Sequence, residues 1–241
     1  ITVIPSDDQT NAAWLTALAA SMICPQQNML VIHDQQTHTE TACLEWVALK
    51  KTTLSHATTR HPNGFDLASL LKTKPISSPL SDNLINKLNG IVKQLAESYD
   101  TVMIETFLET TEQILKLPLM LEHELVIQME RSEDAIKNAY LNIKRICQQY
   151  GNRSFGVVVT RADQAQGQLY FKRLSQVCQQ FLGVSLNFLG AIPDDEALKK
   201  SSAMGLNVID AFPKAQVTLA IKALADRLQQ QRITTSSFAV A

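Results

Sequence analysis

Short apolar runs alternate with longer stretches of helical spacing along this chain, and this alternation constrains the fold more than any other feature of the sequence. Short apolar runs are typical of buried strands, whereas apolar residues three or four positions apart are typical of helices with one buried face. The strand candidates are ITVI, NMLVIH, DTVMIE, HELVIQM, SFGVVVT and VSLNFLGAI. Because strands that alternate with helices form parallel sheets covered on both faces, we predict an α/β fold, three-layered and doubly wound, with a mostly parallel sheet flanked by helices.

The stretches between these runs carry signals for the starts of helices. One helix is predicted to begin at Ser81 and Asp82, and another at Ser132, because small polar and acidic residues satisfy the free N–H groups of a first turn. The predicted buried stripe of the second helix is Ile136, Ala139, Tyr140, Ile143 and Cys147. Residues 50–80 contain turn residues and short apolar pieces, which predict irregular structure around one more strand or edge element.

Length and composition suit a single domain. The chain has 241 residues, of which 45% are apolar and 19% charged, so it can bury a full core. No internal repeat or low-complexity linker divides it. We predict one domain over residues 1–230 and a tail, residues 231–241, without ordered structure, because little in the tail can pack against a core.

Composition argues against several classes of function. No apolar run approaches the roughly 18 residues of a membrane span and no secretory signal is apparent, so a cytoplasmic location is predicted. A net charge of −1 gives no electrostatic ground for nucleic-acid binding. The last helical stretch lacks the basic amphipathic character of a membrane anchor. We therefore predict no nucleic-acid partner and no direct membrane anchor.

Neither the cysteines nor the histidines form a metal-binding pattern. The four cysteines are scattered and include no C-x-x-C pair, which is typical of reduced, buried thiols. His33 with His38, and His56 with His61, repeat at a spacing that fits neither a helix face nor a common zinc pattern, although Cys43 lies nearby. We predict no metal site and interpret these residues as surface or loop histidines.

The first stretch of the chain, ITVIPSDDQTNAAWLTALAASM, predicts a buried strand, a tight turn and a helix. In nucleotide-binding α/β proteins such a turn holds phosphate, because glycines let backbone N–H groups point inward and a lysine neutralises the phosphate charge. This turn has no glycine and no lysine, and the first glycine of the chain is Gly64. Asp7 and Asp8 would repel a polyanion by about 3 kcal/mol per charge pair, at about 5 Å and an effective dielectric of about 20. One of Asp7, Asp8 and Thr10 is the predicted cap of the first helix.

Three later stretches are more specific: AYLNIKRICQQYG, SFGVVVTRAD and QFLGVSLNFLGAIPDDEALKKSSAMGLNVID. They resemble the second half of the MinD/ParA-type ATPases, and most of all the FlhG/FleN branch, which controls flagellar number and placement. The resemblance extends over about residues 1–228 and is specific from about residue 93 onward. It implies a P-loop NTPase-like fold of MinD type, and in that family an ATP-dependent switch that dimerises around the nucleotide.

The family's nucleotide motifs are missing at the positions that match them. Its phosphate loop falls, without a gap, on Ser6, Asp7, Asp8, Gln9, Thr10, Asn11, Ala12 and Ala13. Asp34 is the candidate for the acidic residue after the second strand, and Glu105 matches the later metal-supporting aspartate. Thr160 stands where the family has an adenine-reading asparagine. The stretch IPDDEALKK matches a loop near the adenine, which we interpret as a structural helix start capped by Asp194 or Asp195.

Glu105, at the end of a predicted buried strand, has two interpretations. With Asp7 and Asp34 it would form an acidic cluster that holds a divalent cation or transfers protons. Because no nucleophile or anion site lies beside it in the pattern, we favour a hydrogen-bonded structural carboxylate. Trp14 and Trp46 are predicted core anchors rather than stacking platforms.

The absence of the family's nucleotide-binding motifs favours a regulatory, non-hydrolysing protein without a cofactor. The resemblance implies control of flagellar number or placement and a protein partner, for which a flagellar GTPase of the signal-recognition type and a component of the flagellar base are candidates. That partner would recruit the chain to the cell pole or the inner membrane face. Without ATP at an interface, we expect a monomer or a nucleotide-independent homodimer. Two alternatives stay open: a weak Mg-ATPase that uses Asp34 and Glu105, and a degenerate relative that acts in pilus placement or polysaccharide export.

Overall fold

The computed structural model of the chain describes residues 1–6, 12–23, 27–35, 42–72, 80–108, 115 and 117–238, and of residues 12, 35 and 231–238 it describes the backbone alone. The strands are β1 (Thr2–Pro5), β2 (Met29–Gln35), β3 (Thr58–Arg60), β4 (Asp66–Leu71), β5 (Thr101–Glu105), β6 (Leu125–Glu130), β7 (Phe155–Thr160) and β8 (Leu186–Ile192). The helices are α1 (Ala12–Met22), α2 (Leu44–Ala48), α3 (Leu54–Ala57), α4 (Asp82–Ser98), α5 (Glu133–Tyr150), α6 (Gln164–Leu182), α7 (Glu196–Ala203), α8 (Val208–Ala211) and α9 (Gln216–Phe238), with a short 3-10 helix at Pro118–Leu121. The chain divides into two compact units, Ile1–Pro5 with Ile23–Val126 and Ser6–Met22 with Ile127–Ala241.

The first unit is built on strands in the order β3-β4-β2-β5-β1. β2 is parallel to both β4 and β5, and β5 is parallel to β1, whereas the short β3 is antiparallel to β4. Val31, Ile32 and Met103 are fully buried. Strands covered on both faces are apolar at successive positions, which is why these runs were recognisable in the sequence.

The second unit carries strands in the order β6-β7-β8, with β7 parallel to β8. Helix α6 packs closely on β8, since a Cβ atom added to Gly167 would lie 2.5 Å from the Cβ atom of Ala191. Helices α1 and α9 pack against each other. The predicted α/β class, with mostly parallel strands and flanking helices, is confirmed.

The predicted helix starts are confirmed, and the buried face of α5 shares Ala139 and Ile143 with the predicted stripe but is shifted from it. Ser81 accepts a hydrogen bond from the backbone N–H of Leu84, and Ser132 accepts one from that of Ala135. The buried residues of α5 are Ala135, Ala139, Ile143 and Ile146. The helix is turned so that small alanines face inward, while Tyr140 and Cys147 are only half-buried.

Residues 50–80 contain more regular structure than we predicted. They form α3, β3 and β4, and a salt bridge of 3.1 Å between Arg60 Nη1 and Asp66 Oδ1 joins the antiparallel pair. The sequence of this segment did not predict β3, because β3 is a three-residue, largely exposed edge strand that has no apolar run. Trp46 in the preceding helix α2 is only half-buried, with Lys72 Nζ 4.8 Å from its ring centroid, so the prediction of a core anchor is wrong there.

Helix α9 ends at Phe238, within the segment 231–241 for which we predicted no ordered structure. The boundaries of a single domain and of a tail stay predictions. Over the described ranges, no helix combines the length and apolar character that crossing a membrane requires.

Candidate functional site

The matched phosphate-loop positions are described only at their two ends. Ser6, directly after β1, donates its backbone N–H to the carbonyl oxygen of Gln128 at 2.8 Å. Its buried hydroxyl has no hydrogen-bond partner among the described residues. Asp7, Asp8, Gln9, Thr10 and Asn11 lie outside the described residues, so the predicted cap of α1 stays a prediction. Helix α1 begins at Ala12, and Ala13 lines a cavity described below.

The two acidic candidates lie in the first unit, at the carboxyl ends of β2 and β5. The register pairs Ile32 with Ile104, which places His33, rather than Asp34, beside Glu105. His33 Nδ1 lies 2.8 Å from Glu105 Oε2, and the two side chains are only 8% and 6% exposed. The carboxylate of Glu105 is therefore hydrogen-bonded by an imidazole within the sheet.

The carboxylate of Asp34 is also hydrogen-bonded, but to a different partner. Its Oδ2 atom accepts a hydrogen bond of 3.1 Å from the backbone N–H of Phe107. The side chain is buried, so this carboxylate orients the chain that leaves β5. Within the described ranges, no three His, Cys, Asp or Glu side chains are grouped as ligands for a metal ion.

His33 is the site residue that the sequence interpretation missed. The expectation of a surface or loop histidine is wrong at this position, because His33 lies within β2 and is buried. A signal was present: His33 ends the apolar run NMLVIH, which was itself a strand candidate, and Glu105 ends another such run. Two polar residues at the ends of buried strands predict a bonded pair only when the strands are neighbours.

The second unit contains a cavity of about 410 Å³. Its walls come from α1, the end of β7, the segment after β8, and α7, and we call it the α7 cavity. Trp14 forms part of the wall and is 2% exposed, so its predicted place in the core is confirmed. Ile192 and Leu198 supply further apolar wall.

Asp195 fixes the segment after β8. One carboxylate oxygen accepts a 2.9 Å hydrogen bond from the backbone N–H of Ala197, which caps α7, and the other accepts one of 3.2 Å from that of Val217 at the start of α9. The predicted capped helix start in IPDDEALKK is thus confirmed, with Asp195 as the cap. Because both oxygens are used, this carboxylate holds two helix starts in place.

Charged residues at the α7 cavity are paired with one another. Arg161 contacts Glu130 at 3.5 Å and Asp194 at 3.6 Å. Lys199 contacts Asp194 at 3.5 Å and Glu196 at 3.1 Å, and its hydrogen bond to Glu196 raises the pKa of the Lys199 ammonium. Both cations are largely exposed, so these pairs contribute little to stability, but they leave no excess positive charge at the cavity.

Thr160 lies where β7 ends, in the wall of the α7 cavity. Its hydroxyl donates to the carbonyl oxygen of Met129 at 3.4 Å, and the residue is buried. Arg161, which follows, has a φ angle of 58°, a left-handed conformation unusual for a non-glycine residue. The side chain at this position therefore has a hydroxyl and a methyl group, without the paired donor and acceptor of an amide.

This architecture defines a class of fold, which is that of the MinD- and ParA-type ATPases. The chain is similar to a chain of the MinC:MinD cell division protein complex of Aquifex aeolicus, with a TM-score of 0.70, 15% identity, and 95% and 96% of the two chains covered. It is similar to the cell division ATPase MinD of Pyrococcus furiosus, with a TM-score of 0.68, 12% identity, and coverage of 95% and 99%. For a ParA family ATPase from Chlorobium tepidum the TM-score is 0.67, with 16% identity and coverage of 93% and 96%.

At the level of sequence, the chain is similar to the antiactivator FleN of Pseudomonas aeruginosa. The two are 27% identical over 135 residues, which are 56% of this chain. The chain spans about half the length of that relative, 48% of it. No protein-family model matches the chain. The resemblance to the MinD/ParA type and its FlhG/FleN branch is confirmed by these similarities.

Proposed function

We propose that this protein is a regulatory relative of FleN that acts by binding a protein partner and has no cycle of ATP hydrolysis. The observation that carries this proposal is the buried hydrogen bond between His33 and Glu105. It occupies an oxygen of the carboxylate that the family resemblance assigns to metal support. The sequence from Ser6 to Ala13, with two aspartates and neither glycine nor lysine, supports the same conclusion.

The relatives support a protein partner. FleN is by name an antiactivator, and one structural relative is a chain of a complex of MinC with MinD. By analogy, this chain acts in the control of flagellar number or placement, with a flagellar GTPase of the signal-recognition type or a component of the flagellar base as its partner. Recruitment to the pole or the inner membrane face then comes through that partner, and the chain itself is a monomer or a nucleotide-independent homodimer.

A titration with Mg-ATP tests the absence of a nucleotide cycle. A ligand at 100 times its Kd stabilises a protein by about 2.7 kcal/mol, so Mg-ATP at about 5 mM would reveal any Kd below about 50 μM. We expect the melting temperature of this chain to stay unchanged, whereas the Pyrococcus furiosus MinD ATPase, as the positive control, is expected to rise by several degrees. Stabilisation of this chain by Mg-ATP, and not by magnesium alone, would contradict the proposal.

One observation favours the alternative of a weak Mg-ATPase. The α7 cavity beside Thr160 is open and large enough for a small molecule, although the adenine-reading asparagine is absent. In that case Asp34 and Glu105 would assist the metal. The alternative requires that Mg-ATP stabilises the chain and that Glu105→Gln abolishes the effect.

The cellular role has a separate test. Deleting the gene is expected to change the number or the position of flagella, counted by electron microscopy. Normal flagella with altered pili or altered surface polysaccharide would instead favour a role in those machineries.

A further inference from the structure

We propose that Arg227 protects the open edge of β8, which would otherwise pair with the same edge of a second copy of this chain. The strand, its neighbour β7 and the helix α9 that carries Arg227 all belong to the second unit. The inference concerns self-association, and it does not depend on whether a nucleotide or a partner protein binds.

β8 has an open edge. It is the last strand in the order β6-β7-β8, and among the described residues no further strand pairs with it. An unpaired edge presents a row of backbone N–H and C=O groups, to which a strand of another chain can add. Natural sheets therefore have features at their edges that prevent such addition.

The sequence of β8 offers little protection of its own. The strand reads LNFLGAI, in which Asn187 is the one polar residue and no residue is charged. Short segments that are apolar, uncharged and free of proline are typical of strands that associate with one another. Lysine, which often protects the edges of natural sheets, is absent from this strand. Protection of the edge has to come from the backbone of β8 or from a neighbouring element.

The backbone of β8 contains a β-bulge. Val157 of β7 lies opposite Phe188. The next residue of β7, Val158, lies opposite Gly190, so Leu189 is the extra residue of the bulge. Gly190 has a φ angle of 154°, which glycine adopts without a steric penalty. A bulge leaves its extra residue without a partner in the neighbouring strand, so another group has to satisfy the carbonyl oxygen of Leu189.

Arg227 provides that group from α9. Its Nη1 atom donates a hydrogen bond of 2.7 Å to the carbonyl oxygen of Leu189. The same atom would lie 3.5 Å from a Cβ atom added to Gly190, so the guanidinium group rests against the bulge. Helix α9 packs against β8, and its residues Leu224 and Leu228 are buried, which fixes the position of the arginine.

The charge of Arg227 opposes the addition of a strand. The side chain stays exposed while it bonds to Leu189. An added strand would have to displace the guanidinium group from the carbonyl oxygen, and a hydrogen bond from a charged donor is stronger than the neutral bond that would replace it. Covering the charge instead would remove it from water, which is costly. In a symmetric pair of edges each copy supplies its own Arg227, so the interface would contain this penalty twice.

Sedimentation velocity of the full chain tests the inference. Exposed strand edges associate at micromolar to millimolar concentrations, so each protein is measured from about 1 to about 500 μM. We expect the unaltered chain to keep one mass throughout, and Arg227→Ala to form larger species as the concentration rises. Lys222→Ala removes the same charge from an exposed position of α9 and is expected to behave like the unaltered chain.

Two further measurements locate the association. Hydrogen exchange of residues 186–192 is expected to become slower in Arg227→Ala at high concentration, because strand pairing protects backbone N–H groups. Asn187→Lys, added to Arg227→Ala, places a charge at an exposed position of β8 itself and is expected to restore a constant mass. Asn187→Ala in the same background adds no charge and is expected to leave the association unchanged.

Arg227→Gln keeps an unbranched polar side chain on α9 but is uncharged and shorter. It is expected to associate as well, and it provides the test if circular dichroism shows that Arg227→Ala does not fold. Folded variants of Arg227 that keep one mass over the whole range would show that the inference is wrong. Association that leaves the exchange of residues 186–192 unchanged, or that Asn187→Lys does not reverse, would place the contact on another surface and overturn it too.

Discussion

His33 and Glu105 form a polar contact at the ends of strands whose preceding residues, Ile32 and Ile104, are buried and apolar. A carboxylate removed from water is costly unless it is hydrogen-bonded, and the imidazole at 2.8 Å provides that bond. Stability at this point of the sheet therefore depends on keeping both partners or removing both.

Replacing His33 with leucine is expected to lower the free energy of unfolding by about 3 to 5 kcal/mol, because the Glu105 carboxylate is left buried without its partner. The double variant His33→Leu with Glu105→Met leaves no buried charge and is expected to be more stable than the single variant. Urea unfolding at pH 7, followed by circular dichroism, measures both. Equal stabilities of the single and double variants would contradict this account.

The positions of these residues at strand ends could be predicted from the sequence, but the contacts of their side chains could not. Asp34 and Glu105 could be placed at strand ends because each follows an apolar run. Whether His33 or Asp34 lies beside Glu105 depends on the register between β2 and β5, which are far apart in the chain. A shift of one residue exchanges the two side chains between the faces of the sheet, and local pattern carries no information about that choice.

At the scale of elements, helix α6 approaches strand β8 closely at a glycine, Gly167. Gly167 faces Ala191, and a Cβ atom at this position would lie far inside normal contact distance. Gly90, on α4, is exposed and has nothing within 4 Å of the same added atom. Gly90 therefore serves as the control position for a substitution of Gly167 by alanine.

Gly167→Ala is expected to destabilise the protein by about 1 to 3 kcal/mol, because overpacking outweighs the better helix propensity of alanine. Gly90→Ala is expected to stabilise it by about 0.5 to 1 kcal/mol, because only the propensity changes. Urea unfolding of both variants provides the comparison. Stabilisation by Gly167→Ala would show that α6 can move away from β8 without cost.

Elements with strong periodicity were predictable, and short or edge elements were not. The runs that became β2, β5 and β7 are apolar at nearly every position, because each of these strands is buried. β3 is a short edge strand whose pairing depends on β4, so its own sequence has little signal. On α5 the predicted stripe included the large residues Ile136 and Tyr140, which are only half-buried, and it omitted Ala135 and Ile146, which are buried.

At the scale of the whole molecule, each compact unit is assembled from two separate segments of chain. β1 belongs to the first unit and α1, which follows it, to the second. The chain thus passes between the units at Pro5, Met22 and Val126. Whether the two units unfold together is the question that the prediction of a single domain over residues 1–230 raises.

Thiol labelling tests that prediction. Cys43 lies in the first unit and Cys178 in the second, and both are fully buried. Burial raises the pKa of Cys43, and that of Cys178 to about 12, so both thiols are expected to react only after opening. In a background of Cys24→Ser and Cys147→Ser, we expect both thiols to be labelled with the same free energy of opening. A lower value for one of them would contradict a single cooperative opening of the whole chain.

The hydrogen bond between His33 and Glu105 also limits any attempt to engineer a cation site into the first unit. One oxygen of the Glu105 carboxylate is already bonded to an imidazole, so an added ion would have to displace that contact. Magnesium loses its hydration shell reluctantly and demands well-placed oxygen ligands, so such a design needs a change at His33 to release the carboxylate. Any design that recruits this carboxylate as a ligand therefore begins with the replacement of His33.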